Sequence, residues 1–219
     1  MSSVLTNNTE NKKSPRKRNP ELTKKTILMA AREEFCNKGL DGARVNAIAE
    51  RSGSNKRMIY HYFSNKEGIY KAVLHQAYRE IREGERELHL TDLSPERAMD
   101  KLVRFTFNHF INHPWFIRLL IDENMHQARN LKQIEEIKQL HSPLVSLISG
   151  LLDSGAKQGI FKTNVDPLQL YLSIASLGFF YLSNIHTLSF VFDTDLSEKR
   201  QLNKREDHIV ELILGYLKP

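Results

Sequence analysis

Apolar residues recur three and four positions apart along most of this chain, the spacing that gathers them on one face of an α-helix. Ile27, Ala31 and Phe35 make one such stripe, opened by Pro20 and Glu21 and stopped by Gly39. Val45, Ile48 and Ala49 make a second, and Ile59, Tyr62 and Phe63 a third. Gly53, between the last two, can end a helix in a left-handed conformation, and Ser54 or Asn55 can accept from the free N–H groups that open the next. From about Asn65 a pattern without a breaker runs through Ile69, Val73, Ala77 and Ile81 to Gly84 or beyond. Ser94 and Pro95 open a helix carrying Leu102, Val103, Phe107 and Phe110, and Pro114 restarts one that reaches Asn124. A stripe from about Leu131 to Gly159 contains Pro143, which predicts a kink. Asp166 and Pro167 open a segment that is apolar nearly all round, and a last helix is predicted from about Lys204 to Leu217, with Glu206 and Asp207 in its first turn. The fold class is all-α.

The second and third stripes with their glycine form a helix-turn-helix. If Ile59, Tyr62 and Phe63 face inward, then Lys56, Arg57, Tyr60 and His61 face out, a basic, hydrogen-bonding surface suited to a major groove. Charge supports this reading. Residues 1–63 hold 13 Lys and Arg against 6 Asp and Glu, whereas the rest hold 19 against 20, so the net charge of +6 belongs to the N-terminal third. Neutralising phosphates is the physical use of such an excess. Residues 1–20, with five cations among Ser, Asn, Thr and Pro, read as a disordered basic arm able to lie along phosphates, or as a solubilising tail.

The run Ile59-Tyr60-His61-Tyr62-Phe63-Ser64-Asn65-Lys66-Glu67, preceded by Val45-Asn46-Ala47-Ile48-Ala49-Glu50-Arg51-Ser52-Gly53, resembles the DNA-binding signature of the TetR family of bacterial regulators. Arg57 and Met58 stand where that family more often has small residues, a departure that bears on the operator sequence. The resemblance implies an N-terminal three-helix helix-turn-helix domain, here residues 21–70, followed by a C-terminal effector-binding and dimerisation domain, residues 71–219. It also implies phosphate contacts from Tyr60, His61, Tyr62 and Lys66. Arg44, opening the second helix, is placed to meet a phosphate, and Lys56 and Arg57 to reach base edges. Two helices near the C-terminus match in order and character those that form the family's four-helix homodimer interface.

Aromatics crowd the segments around Phe107, Phe110 and Trp115, and such a mixture of apolar walls and polar groups suits a small planar molecule, although aromatics at helical spacing also build plain core. Arg118, expected among apolar neighbours, needs an anion, either Asp122 at i+4 or a ligand carboxylate. Asn184 and His186 are candidate polar groups on the pocket side. The segments Pro114–Asn124 and Phe179–Asn184 also resemble regulators of catabolic operons for nitrogen heterocycles and small carboxylates, such as the pyrimidine and nicotinate repressors.

Other chemistry is weakly represented. His109 and His113 are spaced i, i+4 and with Glu123 or His126 could share a metal, but nine histidines make such coincidences common, and no metal or other cofactor is expected. Cys36, the single cysteine, beside Phe35, reads as core packing. No nucleophile triad or phosphate loop is present, so no enzyme is expected. The most apolar region, 168–192, is broken by Ser173, Ser176, Ser183, Asn184 and His186, so no membrane span is expected, and a polar start without a secretory pattern suits a cytoplasmic setting. The function these features imply is a ligand-responsive DNA-binding transcriptional regulator, most simply a repressor released from a pseudo-palindromic operator by a small aromatic or carboxylate metabolite. The alternative is an architectural DNA-binding protein that senses no ligand.

Overall fold

A computed structural model describes residues 19–219, apart from the side chains of 141 and 142; the basic arm lies almost wholly outside the described residues. Among them there is no strand. Ten α-helices follow one another: α1 (Pro20–Gly42), α2 (Val45–Ser52), α3 (Lys56–Phe63), α4 (Lys66–Arg86), α5 (Pro95–Asn112), α6 (Pro114–Met125), α7 (Glu136–Lys157), α8 (Pro167–Ser183), α9 (Ile185–Val191) and α10 (Lys199–Leu217).

Local chemistry sets most of the boundaries. The Asn19 side chain accepts from the N–H groups of Glu21 and Leu22, with Pro20 at the first helical position where a missing N–H costs nothing. Asn55 caps α3 through Met58 N–H, Asn65 caps α4 through Gly68 N–H, and Asp166 caps α8 through the N–H groups of Leu168 and Gln169. Gly53 ends α2 at φ 62°, a conformation that a side chain would strain, and so turns the chain into α3. Gly39 interrupts α1 with φ 64°, and one more turn continues to Gly42.

Two apolar cores result. The first joins Ile27, Phe35, Ile48, Ile59, Phe63, Tyr70 and Leu74 to Phe116, Ile117 and Leu119 of α6, so α1–α4 pack directly on the C-terminal part. The second is built by α5, α7, α8 and α10 around Leu102, Phe107, Ile148, Ile174 and Ile209. The 21-residue α4 packs on α1 and α3 and also on α5 and α7, and the expected boundary at residue 70 falls inside it.

Three expectations are corrected. The helix predicted from 131 is a short 3₁₀ turn, Leu131–Gln133, followed by α7 from Glu136. A separate helix, α9, follows α8 after Asn184. The last helix begins at Lys199, so Glu206 and Asp207 lie in its body, where both face Arg104 of α5, at 3.5 and 2.8 Å. Tertiary ion pairing, not the helix dipole, accounts for those acids.

Candidate DNA interface and effector cavity

Helix α3 buries Ile59 and Phe63 and leaves Lys56, Arg57, Tyr60 and His61 exposed, with Met58 and Tyr62 half-buried between the two faces. Positions 56, 57, 60 and 61 share one side of an eight-residue helix, so their side chains project together. The Tyr62 ring is wedged edge-on to His61, at 5.5 Å, and close to Phe63, and only part of it reaches solvent. Arg44 is exposed at the start of α2, and its backbone N–H donates to Glu34 Oε1. The same buried carboxylate lies 3.6 Å from Arg51, which also approaches Glu33, so α1 holds α2 at both its ends. Lys66 is less free than an exposed phosphate contact: its Nζ donates to the carbonyls of Asp41 and Ala43, closing the end of α1 onto α4. One N–H of the ammonium remains for a phosphate.

In the C-terminal part, α4, α5, α6 and α8 enclose a cavity of about 290 Å³. Phe110 and Phe116 stack within it at 6.1 Å, Phe179 meets Phe110 edge-on, and Tyr78 meets Phe116 edge-on. Ile81, Leu120, Leu172 and Ala175 add to the apolar wall; Arg82, Thr106, Asn124, Tyr171 and Ser176 supply polar groups. Burial pushes the Tyr78 hydroxyl up to about 12.

Of the six effector contacts expected from sequence, only Phe110 lines this cavity. Phe107 is buried in the second core against Tyr181 and Gly178. Trp115 points to α1, with the Arg32 guanidinium 4.2 Å above its ring. Arg118 is exposed instead of buried, and its Nη1 donates to Asn37 of α1 at 3.3 Å. Helical phase is the reason: 116, 120 and 124 face the cavity, whereas 115 and 118 face α1 and 122 faces Tyr70 of α4. Asn184 caps the end of α8 by donating to Phe180 O, and His186 is exposed on α9. The metal reading also meets a different geometry. His109 and His113 stack ring on ring at 4.3 Å, and Glu123 accepts from Asn130 and from Leu131 N–H. Burial lowers His109 to about 4, with further lowering by His113 and Arg82. Cys36 lies against Trp115 O, and burial lifts its thiol to about 11, away from thiolate chemistry.

Sequence reasoning missed Arg82 and Tyr171. A signal for the first existed: Arg82 and Glu85 fall in the apolar register of α4, after Leu74, Ala77 and Ile81, where a charge demands an explanation.

A basic helix-turn-helix joined by a long helix to an all-helical domain with an aromatic cavity is the architecture of a DNA-binding regulator. Comparison with known proteins gives the family. Residues 27–73 match the description "Bacterial regulatory proteins, tetR family", and residues 95–213 match "Tetracyclin repressor-like, C-terminal domain". The chain is 34% identical over 180 residues to the HTH-type transcriptional repressor NicS of Pseudomonas putida, covering 82% of this chain and 85% of that one. It is 27% identical over 206 residues to the HTH-type transcriptional regulator RutR of Escherichia coli, covering 93% and 94%. Among solved structures, a tetR-family regulatory protein from Rhodococcus RHA1 superposes with a TM-score of 0.71 at 16% identity, over 90% of this chain and 97% of that one. This protein belongs to the TetR family of transcriptional regulators, a family of DNA-binding proteins and not of enzymes. Regulators of this family bind operator DNA and small-molecule effectors and are dimers.

Proposed function

We propose that this protein is a homodimeric repressor that sits on a pseudo-palindromic operator and is released when a small molecule enters the cavity between α4, α5, α6 and α8. The observation that carries the reading is the double role of α6. Its residues Phe116, Leu120 and Asn124 face the cavity, while Trp115, Arg118 and Asp122 hold α1 and α4 of the DNA-binding unit. A molecule that shifts α6 therefore shifts the base of the reading head. Arg44, Lys56, Arg57, Tyr60, His61, Tyr62 and Lys66 are the proposed DNA contacts, with Arg57 and Lys56 at base edges and the others at phosphates. A bacterial regulator of chromosomal DNA works in the cytoplasm, which is the setting proposed here.

Dimerisation is supported by apolar side chains left exposed on α8 and α10: Leu168, Leu172, Phe180, Leu212 and Tyr216. Two copies place two reading heads on the two halves of a palindrome, and the affinities of the halves multiply.

The test is fluorescence anisotropy with DNA selected from a random pool, at two salt concentrations and with a panel of small metabolites. Affinity should fall steeply with salt, and one class of metabolite should weaken it. By linkage the same metabolite must bind the DNA complex more weakly by the same factor. Binding without salt dependence, or with no metabolite effect across chemical classes, overturns the reading.

A further inference from the structure

The cavity contains a buried cation whose hydrogen-bonding capacity is only partly used. Arg82 is 3% exposed, and it lies among Tyr78, Phe110, Phe116 and Phe179. Its Nη2 donates to the Tyr171 hydroxyl at 3.3 Å and its Nη1 lies 2.9 Å from Glu85 Oε2, yet Nε has no acceptor and Nη1 is not aligned to donate. A buried donor left unpaired costs free energy, and a guanidinium costs more than an amide, so the arrangement is suited to an acceptor that arrives from outside.

The two aliphatic hydroxyls at the cavity are already committed. Thr106 donates to Leu102 O and Ser176 to Ser173 O, so their hydroxyl protons are held by their own helices, and Asn124 spends one amide N–H on Leu120 O. Arg82 is the one cation lining the cavity among the described residues, and the Tyr171 hydroxyl that accepts from it has its own proton to give. Burial lifts the Glu85 carboxyl to about 7, and so Glu85 does not hold a full negative charge against the guanidinium at neutral pH.

We infer that the effector is a small aromatic carboxylate, its acid group paired with the Arg82 guanidinium and accepting from the Tyr171 hydroxyl, and its ring held by Phe110, Phe116 and Phe179. This inference rests on the regulatory reading above and names the ligand class of the same cavity. Room is sufficient: a cavity of roughly 150 Å³ already holds benzene, and this one measures about 290 Å³. Aromatic walls with one charged donor exclude strongly hydrated phosphates and sugars, which need polar partners on all sides.

The experiment is calorimetric titration of the intact protein with benzoate and pyridine carboxylates, set against their amides and against cyclohexanecarboxylate. Carboxylates should bind at least tenfold more tightly than the matching amides, and the aromatic acid more tightly than the saturated one. Arg82→Met should lower carboxylate affinity tenfold or more and bring acid and amide to parity, while Arg118→Ala leaves both unchanged. Tyr171→Phe, which removes one hydroxyl from a half-buried ring, should reduce the preference for acids even if Arg82→Met does not fold. Equal binding of acids and amides, or no binding of any aromatic acid at millimolar concentration, overturns the inference. The regulatory reading is scored separately by DNA anisotropy: a neutral molecule that enters the cavity and releases DNA would refute the ligand class and leave the repressor intact.

Discussion

The Tyr70 hydroxyl donates to Asp122 Oδ2 at 2.7 Å, joining a fully buried residue in the first part of α4 to the face of α6 that turns away from the cavity. Burial and the neighbouring carboxylate together push the phenol well above its ordinary range, so Tyr70 stays a donor. Tyr70→Phe keeps the ring edge-on to Phe35 and removes only the bond. We expect a loss of about 1–3 kcal/mol in urea unfolding, the usual worth of a hydrogen bond to a charged acceptor. Unchanged stability would show that the contact contributes nothing.

Glu85 and His109 set opposing pH dependences. The Glu85 carboxyl is raised by burial from 4.5 to about 7, so its contribution is fully present below pH 4.5 and lost as pH rises through 7. His109 is lowered by burial from 6.5 to about 4, so its contribution is present above pH 6.5 and lost as pH falls through 4. Relative to the parent, Glu85→Gln should gain stability on going from pH 4.5 to 7, by on the order of 1–3 kcal/mol. His109→Gln should gain in the opposite direction, on going from pH 6.5 to 4. Unfolding curves at four pH values check both signs; parallel curves for parent and variant would refute the corresponding assignment.

Gly155 of α7 is a close-approach site. A Cβ there would overlap the ring of Phe161, which is itself buried in the second core. Gly155→Ala should cost about 1–3 kcal/mol despite the better helix propensity of alanine, because the ring must move in a packed interior. A thermal midpoint equal to or above that of the parent would mean the ring relaxes freely.

Charge placed on the exposed apolar face should separate the subunits. Phe180, at 59% exposure, and Leu212, at 45%, gain nothing from the solvent they face in one copy. Phe180→Glu with Leu212→Glu should yield a folded monomer by light scattering, with normal helical circular dichroism. Operator affinity should drop at least roughly tenfold as the second half-site is lost. A dimer that persists places the interface elsewhere.

The recognition helix and its neighbour should respond differently to alanine. Arg57→Ala should weaken binding and relax sequence preference by about 1–3 kcal/mol at one base pair, as expected of a base-edge contact. Lys66→Ala should weaken all sequences alike and also lower the thermal midpoint, because its Nζ ties α4 to the carbonyls of Asp41 and Ala43. Equal, sequence-blind losses with no thermal effect would reverse these assignments.

Much of the architecture was legible before any coordinates. Periodicity located most of the helices, Gly53 with Ser54 or Asn55 marked the turn between α2 and α3, and the order of Tyr60, His61, Tyr62 and Phe63 pointed to the family. These are local matters: which backbone angles a residue tolerates, which cap satisfies an N–H, and which face is apolar all follow from a few neighbouring residues. The cavity was not local. Whether an aromatic lines a cavity or fills a core depends on which of its helix's faces meets which neighbour. That choice put Phe107 into the second core and Trp115 under Arg32. Arg118 and Arg82 carry the same charge, yet one reaches solvent beside Asn37 and the other is enclosed by four helices. Composition and spacing carry the phase of each helix, but only packing between helices fixes where that phase points, and so only the tertiary structure selected Arg82.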